Sequence, residues 1–146
     1  PALTEDEELW LVGEGNILDD LKVLAEKSKG KVKFLGRKKQ DELIGYLQKA
    51  DIFVLPSKNE GMSNSILEAM ACGLPIITTN TGGSKELVKG NGMIVKMEST
   101  KELRNAIEKY KKNAALLELH GRKSRELART LSWKNMAKKY YEVYND

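Results

Sequence analysis

Short apolar runs recur along the chain, separated by segments whose apolar residues repeat every three or four positions. The runs lack polar alternation, which is typical of parallel strands that helices cover on both faces. They predict strands at 9–12, 32–35, 52–55, 75–79 and 93–95. In the segments between them the apolar residues recur on one helical face, which indicates helices. These span 16–29, 40–49, 65–72 and 84–88.

The pattern changes after residue 98, where no further strand is predicted. Three helices are expected instead, at 100–112, 114–129 and 133–144. Strands that alternate with helices through loops of a few residues indicate an α/β protein with a doubly wound, Rossmann-like parallel sheet. Neither a repeat nor a linker divides the sequence. We therefore predict a single domain over residues 1–146, with a helical tail at about 99–146.

Composition narrows the class of protein. The 146 residues are 40% apolar and 32% charged, as in ordinary soluble domains. No apolar stretch approaches the length of a membrane span, and the single cysteine, Cys72, excludes an internal disulfide. Both features favour a cytoplasmic protein.

The net charge of +4 comes from the tail, where residues 101–146 hold 12 Lys and Arg against 6 Asp and Glu. A basic tail can meet nucleic acid or an anionic membrane. Because the charges alternate in sign and the aromatic residues keep helical spacing, a solvated helix face is favoured and no nucleic-acid partner is expected.

The richest chemistry lies between residues 55 and 75, where Glu60 and Glu68 stand eight positions apart. Glu60 is in the loop after a predicted strand, and Glu68 is in the opening turn of a predicted helix. A helix start at the carboxyl end of a parallel strand binds anions, because free N–H groups and the helix dipole converge there. Two carboxylates beside such a site suggest a ligand with both phosphates and hydroxyls, such as a nucleotide sugar.

Glu68 allows two interpretations from the residues alone. The sequence Ser65-x-x-Glu68 fits a capping box, in which the glutamate accepts from the Ser65 N–H. Its apolar helix neighbours instead predict a buried carboxylate, which would need stronger partners such as two ribose hydroxyls. The pattern does not choose between them.

The other loops at this end of the sheet are less specific. The pair Gly13-x-Gly15 is one glycine short of a dinucleotide fingerprint and is better interpreted as a tight turn. Gly82 and Gly83 either line the crevice or allow a turn. Arg37 stands where it could contact a phosphate or a base, although an exposed basic turn is an equally good interpretation.

With these residues in view, the chain resembles the C-terminal, donor-binding domain of GT-B glycosyltransferases of family four, the glycosyl transferases group 1. The resemblance is close over about residues 9–97. The motifs that carry it occupy residues 11–15, 32–36, 50–57, 60–71, 73–76 and 82–86. Glu-x7-Glu with Glu-Ala-Met-Ala, flanked by Leu-Pro-Ser and Gly-Leu-Pro, is a specific signal.

The resemblance implies a role for each position of the motif. Glu60 is implied to be the catalytic position, which holds the hydroxyls of the donor sugar, and Glu68 to bind the ribose. The other donor-binding positions that it implies are Gly61, Met62, Ser63, Asn64, Ser65, Ile66 and Arg37. The implied reaction transfers a hexosyl group from a UDP-, GDP- or ADP-sugar, with retention, to a glycan or lipid-linked acceptor. No metal and no further cofactor are implied.

The sequence departs from the family at its beginning. The family's first strand and helix of this domain, and its N-terminal acceptor domain, have no counterpart before Leu9. We therefore expect a fragment of a longer enzyme that is inactive alone, and whose parent contacts the inner face of the membrane peripherally. The strands at 9–12 and 52–55 would lack their shared neighbour. Direct closure of the gap or self-association through the uncovered edges would repair it.

Two alternatives belong to other classes. A GT-B nucleotide-sugar epimerase would share the crevice but needs acid and base side chains near the sugar, and the only histidine is His120. A non-catalytic α/β binding module would use the basic helical tail.

Overall fold

The structure, a computed structural model, describes residues 3–59, 61–131 and 141. Strands and helices alternate up to residue 95, and helices alone follow. The strands are β1 (Glu8–Val12), β2 (Lys31–Gly36), β3 (Phe53–Leu55), β4 (Ile76–Thr79) and β5 (Gly92–Val95). The helices are α1 (Leu18–Glu26), α2 (Gln40–Leu47), α3 (Asn64–Ala71), α4 (Ser84–Leu87), α5 (Thr100–Lys111) and α6 (Ala114–Thr130).

These elements confirm the predicted order. Each strand begins and ends within one residue of its predicted position, and α1 is shorter than predicted at both ends. The predicted helix at 133–144 lies outside the described residues except for Tyr141, which is helical.

The strands form two separate parallel sheets. β1 pairs with β2, and β4 pairs with β3 on one side and β5 on the other. Within the described part of the chain, β1 and β3 do not pair with each other. The predicted interruption between these two strands is therefore present. Direct pairing of β1 with β3, which would have closed it, does not occur.

The core is built around the three-stranded sheet, where all four residues of β4 are buried. Because successive strand residues point to opposite faces, Ile76 and Ile77 enter different clusters. Ile76 packs with Met70 of α3 and with residues of α2 and α4. Ile77 packs with Tyr110 of α5. Helices therefore cover both faces of this sheet, as doubly wound folds require.

The two-stranded sheet is covered less well than its apolar sequence predicts. Neither β1 nor β2 contains a buried residue. α1 contributes no buried residue, and Ile17, Val23 and Leu24 are more than half exposed. The prediction that helices cover the strands on both faces is thus wrong for this sheet. With only two strands, the sheet offers little surface against which a helix can pack.

Side chains join the two sheets where the backbone does not. Leu47, at the end of α2, packs into the same cluster as Ile66 and Met70 of α3. On the other side, Arg104 of α5 donates two hydrogen bonds to the carboxylate of Glu7, at 2.7 and 3.0 Å, just before β1 begins. Among the described helices, none is both long and apolar enough to traverse a bilayer.

Candidate functional site

The amino end of α3 is an uncapped helix start at the carboxyl end of β3. Ser63 is the N-cap residue with an extended backbone, and its side chain caps no backbone N–H. Its hydroxyl instead lies 2.8 Å from the Ser65 hydroxyl. The first backbone bond of the helix runs from the Leu67 N–H to the Ser63 carbonyl, at 3.2 Å. The three preceding N–H groups have no partner among the described residues, and free N–H groups at a helix start are able to bind an anion.

The rest of α3 packs this end of the helix against the core. Ile66, Ala69 and Met70 are almost fully buried, at 2%, 0% and 0% exposure. They face the core, so that the opposite face of the helix, which carries Asn64 and Glu68, turns outward.

Glu68 is therefore half-buried, and the full burial that its apolar neighbours suggested does not occur. Apolar neighbours in sequence do not bury a helical residue when they lie on another face. The capping-box interpretation also fails, because α3 begins at Asn64 and Ser65 is already its second helical residue. Glu68 is too far along the helix to reach an N-cap N–H.

The carboxylate of Glu68 is held across the gap between the two sheets. Its Oε1 accepts a hydrogen bond from Nε2 of Gln40, at 3.2 Å. Gln40 is the first residue of α2 and follows the loop that contains Arg37. This contact brings the loop after β2 beside the start of α3, although their strands belong to different sheets.

The loops after β1 and β2 are also tied together. The Gly13 N–H donates to the Gly36 carbonyl at 2.9 Å. Both glycines have positive φ, 127° and 63°, which side chains on L-residues disfavour. The tight turn predicted at Gly13-x-Gly15 lies further along the chain, from Gly15 to Leu18, where the Leu18 N–H donates to the Gly15 carbonyl at 3.1 Å. Arg37 directly follows Gly36 and is exposed.

Gly83 has a packing role that the sequence left open. A Cβ on Gly83 would lie 2.4 Å from the Gly61 carbonyl oxygen and 2.9 Å from the Met62 nitrogen. The turn after β4 therefore presses directly against the loop that leads into α3. Only a residue without a side chain allows this approach.

The structure brings most of the predicted site residues together around the start of α3. Glu60 lies outside the described residues. The loop residues Gly61 and Met62 are exposed, Ser63 is buried, and Asn64, Ser65, Ile66 and Glu68 lie on the first turns of the helix. The sequence did not identify Gln40 as a site residue, because its partner Glu68 is 28 residues away and no local motif predicts the contact.

Comparison with known proteins shows the family and the fold of the chain. The profile of the family described as "Glycosyl transferases group 1" matches residues 1–113. The chain is 32% identical over 136 residues to the D-inositol 3-phosphate glycosyltransferase of Corynebacterium jeikeium, covering 90% of this chain and 32% of that protein. It is 37% identical over 102 residues to the GDP-mannose-dependent monoacylated alpha-(1-6)-phosphatidylinositol monomannoside mannosyltransferase of Corynebacterium glutamicum, covering 64% and 27%.

Among solved structures, the sucrose-phosphate synthase of Thermosynechococcus elongatus matches with a TM-score of 0.82 and 28% identity, over 94% of this chain and 37% of that one. The chain belongs to the glycosyl transferases group 1 family, and its fold is that of a GT-B glycosyltransferase domain. It spans 40% or less of the length of these relatives.

Proposed function

We propose that this chain is the donor-binding half of a retaining glycosyltransferase and that it binds a nucleotide-diphosphate sugar at the start of α3. The observation that carries the proposal is the uncapped helix end with Glu68 beside it. Free N–H groups at residues 64–66 suit a diphosphate, and a half-buried carboxylate suits a pair of ribose hydroxyls. The GDP-mannose dependence of the mannosyltransferase relative supports a donor of this class.

The roles proposed for the remaining residues are those that the resemblance to the family implies. The backbone of Gly61, Met62 and Ser63 would lie against the donor sugar, and Glu60 would hold its hydroxyls. Arg37, on the loop that Gln40 joins to Glu68, would contact the base or the phosphates. No metal is required, since the helix end supplies the positive potential.

The proposed chemistry is a displacement at the anomeric carbon of the sugar. The bond from this carbon to the diphosphate oxygen breaks, and a bond to the acceptor hydroxyl oxygen forms on the same face. The departing diphosphate takes the hydroxyl proton. Negative charge grows on the leaving group during this step, so N–H groups already aimed at it lower the barrier. A hexosyl group would thus pass to a glycan or lipid-linked acceptor with its configuration retained.

Donor binding can be tested directly on this chain by two-dimensional NMR. UDP, GDP and ADP, and then UDP-glucose, GDP-mannose and ADP-glucose, are titrated against the ¹⁵N-labelled protein. We expect the amides of Ser65 and Ile66 and the side-chain amide of Gln40 to shift together, most strongly with one base. Shifts confined to other regions, or none at millimolar ligand, would contradict the proposal.

The chain by itself should bind donor weakly and transfer no sugar, because it spans 40% or less of the length of its relatives. A radiolabelled-donor assay of this chain should therefore give no transfer and no hydrolysis. The same assay on the longer protein that carries it, with the product anomer identified by NMR, tests retention. Turnover by the isolated chain would refute the assignment of this half to donor binding alone.

A further inference from the structure

The start of α2, where Gln40 is the first residue, is held by contacts at both ends of this helix. At its beginning, the Lys39 N–H donates to the carboxylate of Glu42 at 3.1 Å. At its end, Leu47 is only 6% exposed and packs in the same cluster as Ile66 of α3. The cap at one end and the packing at the other therefore set the position of Gln40 relative to α3.

The hydrogen bond from Gln40 occupies one of the two oxygens of the Glu68 carboxylate. The donor Nε2 lies 3.2 Å from Oε1. Within the described ranges, no hydrogen bond reaches Oε2 and no Lys or Arg forms an ion pair with this carboxylate. An ionised carboxylate accepts hydrogen bonds at both oxygens, so Oε2 remains available to a ligand. Gln40 is thus the side chain that orients Glu68.

The amide of Gln40 orients this carboxylate without cancelling its charge. An Arg at the same place would neutralise Glu68 and could occupy both of its oxygens at once. A neutral N–H donor takes one lone pair and leaves the full negative charge. Hydrogen bonds that an ionised carboxylate accepts from hydroxyls are stronger than those between neutral groups. The pair therefore suits a ligand with neighbouring hydroxyls.

The orientation of Glu68 also has an entropic value for binding. A glutamate on an outward helix face has three side-chain torsions and samples several rotamers unless a neighbour restricts them. A ligand that binds a mobile carboxylate must supply the free energy that orders it. Because Gln40 already restricts Glu68 before a ligand arrives, part of this cost is removed.

We propose that Gln40 is a positioning residue of the donor site, which holds the Glu68 carboxylate in the orientation that accepts the two ribose hydroxyls. This inference rests on the proposed function, since the ribose belongs to the proposed donor. Gln40 acts through Glu68 and not through the phosphates. Its effect should therefore appear with nucleotides and be absent with pyrophosphate.

The contact itself can be tested without a ligand by NMR of the side-chain amides of the ¹⁵N-labelled chain. Glu68→Gln should shift the side-chain NH₂ signal of Gln40, which is assigned by its loss in Gln40→Met. The signal of Gln48, an exposed residue at the other end of α2, should stay in place. A Gln40 signal that does not move would overturn the inference.

The role in binding can be tested with Gln40→Met, which keeps the length of the side chain and removes the donor. We expect the affinity for UDP or GDP, followed at the Ser65 amide, to fall roughly three- to tenfold, and the affinity for pyrophosphate to stay unchanged. The matched control Gln48→Met should bind both ligands as the unmodified protein does. Added to Glu68→Gln, Gln40→Met should cause no further loss, because its effect passes through that carboxylate.

Four results would overturn the inference while the proposed function stands. Gln40→Met could lower the affinities for UDP and pyrophosphate equally, or Gln48→Met could have as large an effect. The losses from Gln40→Met and Glu68→Gln could be additive. Finally, Glu68→Gln could weaken nucleotide binding while Gln40→Met leaves it unchanged. If neither UDP nor GDP moves the Ser65 amide, the proposed function fails, and the role of Gln40 fails with it.

Discussion

At the scale of single residues, two helical glycines have opposite roles. Gly121 of α6 approaches the chain at Gly73 so closely that a Cβ would lie 2.5 Å from the Gly73 carbonyl oxygen. Gly45 of α2 has open space around it. The first glycine allows α6 to pack on the segment after α3, and the second only weakens its helix.

The two positions predict opposite effects of the same substitution. Gly121→Ala should lower the free energy of unfolding by about 1–3 kcal/mol, because backbone must move to admit the methyl group. Gly45→Ala should raise it by about 0.5–1 kcal/mol, since alanine restricts the unfolded chain and favours helix. Urea unfolding followed by circular dichroism measures both. Equal effects of the two substitutions would show that the contact between α6 and Gly73 does not constrain the fold.

Glu68 is the residue whose role can be tested most sharply. Glu68→Gln keeps the shape of the side chain and removes the charge that would hold two ribose hydroxyls. We expect the affinity for UDP or GDP to fall roughly tenfold or more, which corresponds to the loss of a charge-assisted hydrogen bond. NMR titration at the Ser65 amide measures it.

Two controls belong with this variant. Pyrophosphate has no ribose, so Glu68→Gln should leave its affinity unchanged. Glu126→Gln removes a charge from an exposed position of α6 and should leave the affinity for nucleotide unchanged. If Glu68→Gln lowers the affinities for nucleotide and for pyrophosphate equally, the carboxylate acts on the phosphate site and not on the ribose.

At the scale of elements, an ionic cluster fastens the segment before β1 to α5. Glu7 accepts from Arg104, from the Thr4 N–H and from Lys111. Burial opposes ionisation of Glu7, but these donors outweigh it and hold the pKa of the carboxyl below its ordinary value of 4.5. The cluster thus helps to join two sheets that share no backbone pairing.

This arrangement predicts a pH dependence of stability. A carboxyl whose pKa is lowered by folding contributes stability that is fully present above pH 4.5 and is lost as the pH falls through the lower, folded pKa. Glu7→Gln should therefore unfold at lower urea concentration than the unmodified protein at pH 7, and the difference should disappear in acid. Glu5→Gln, at an exposed position, is the control. A difference that persists at low pH would assign the effect to packing.

At the scale of the whole molecule, the interruption between β1 and β3 leaves two strand edges without partners among the described residues. Exposed edges invite pairing with another chain, and the exposed apolar residues of α1 add to this tendency. We predict that the chain self-associates through these edges.

Sedimentation velocity over a range of protein concentrations tests the prediction. The sedimentation coefficient should rise with concentration. Val12→Lys, which places a charge at the end of β1, should reduce the rise, whereas Val23→Lys on α1 should reduce it less. A monomer at all concentrations, or a stronger effect of Val23→Lys, would exclude the strand edges as the site of association.

The sequence was sufficient to determine the order of the elements and the α/β class, because both depend on local periodicity. The break in the sheet was expected from the resemblance to the family, whose motifs are contiguous in the chain. Only the tertiary structure decided that Glu68 is half-buried and accepts a hydrogen bond from Gln40. The same is true of the close approach of Gly61 to Gly83 and of the thin covering of β1 and β2. Each of these depends on which face of an element meets a segment distant in sequence, and residue order alone does not specify that.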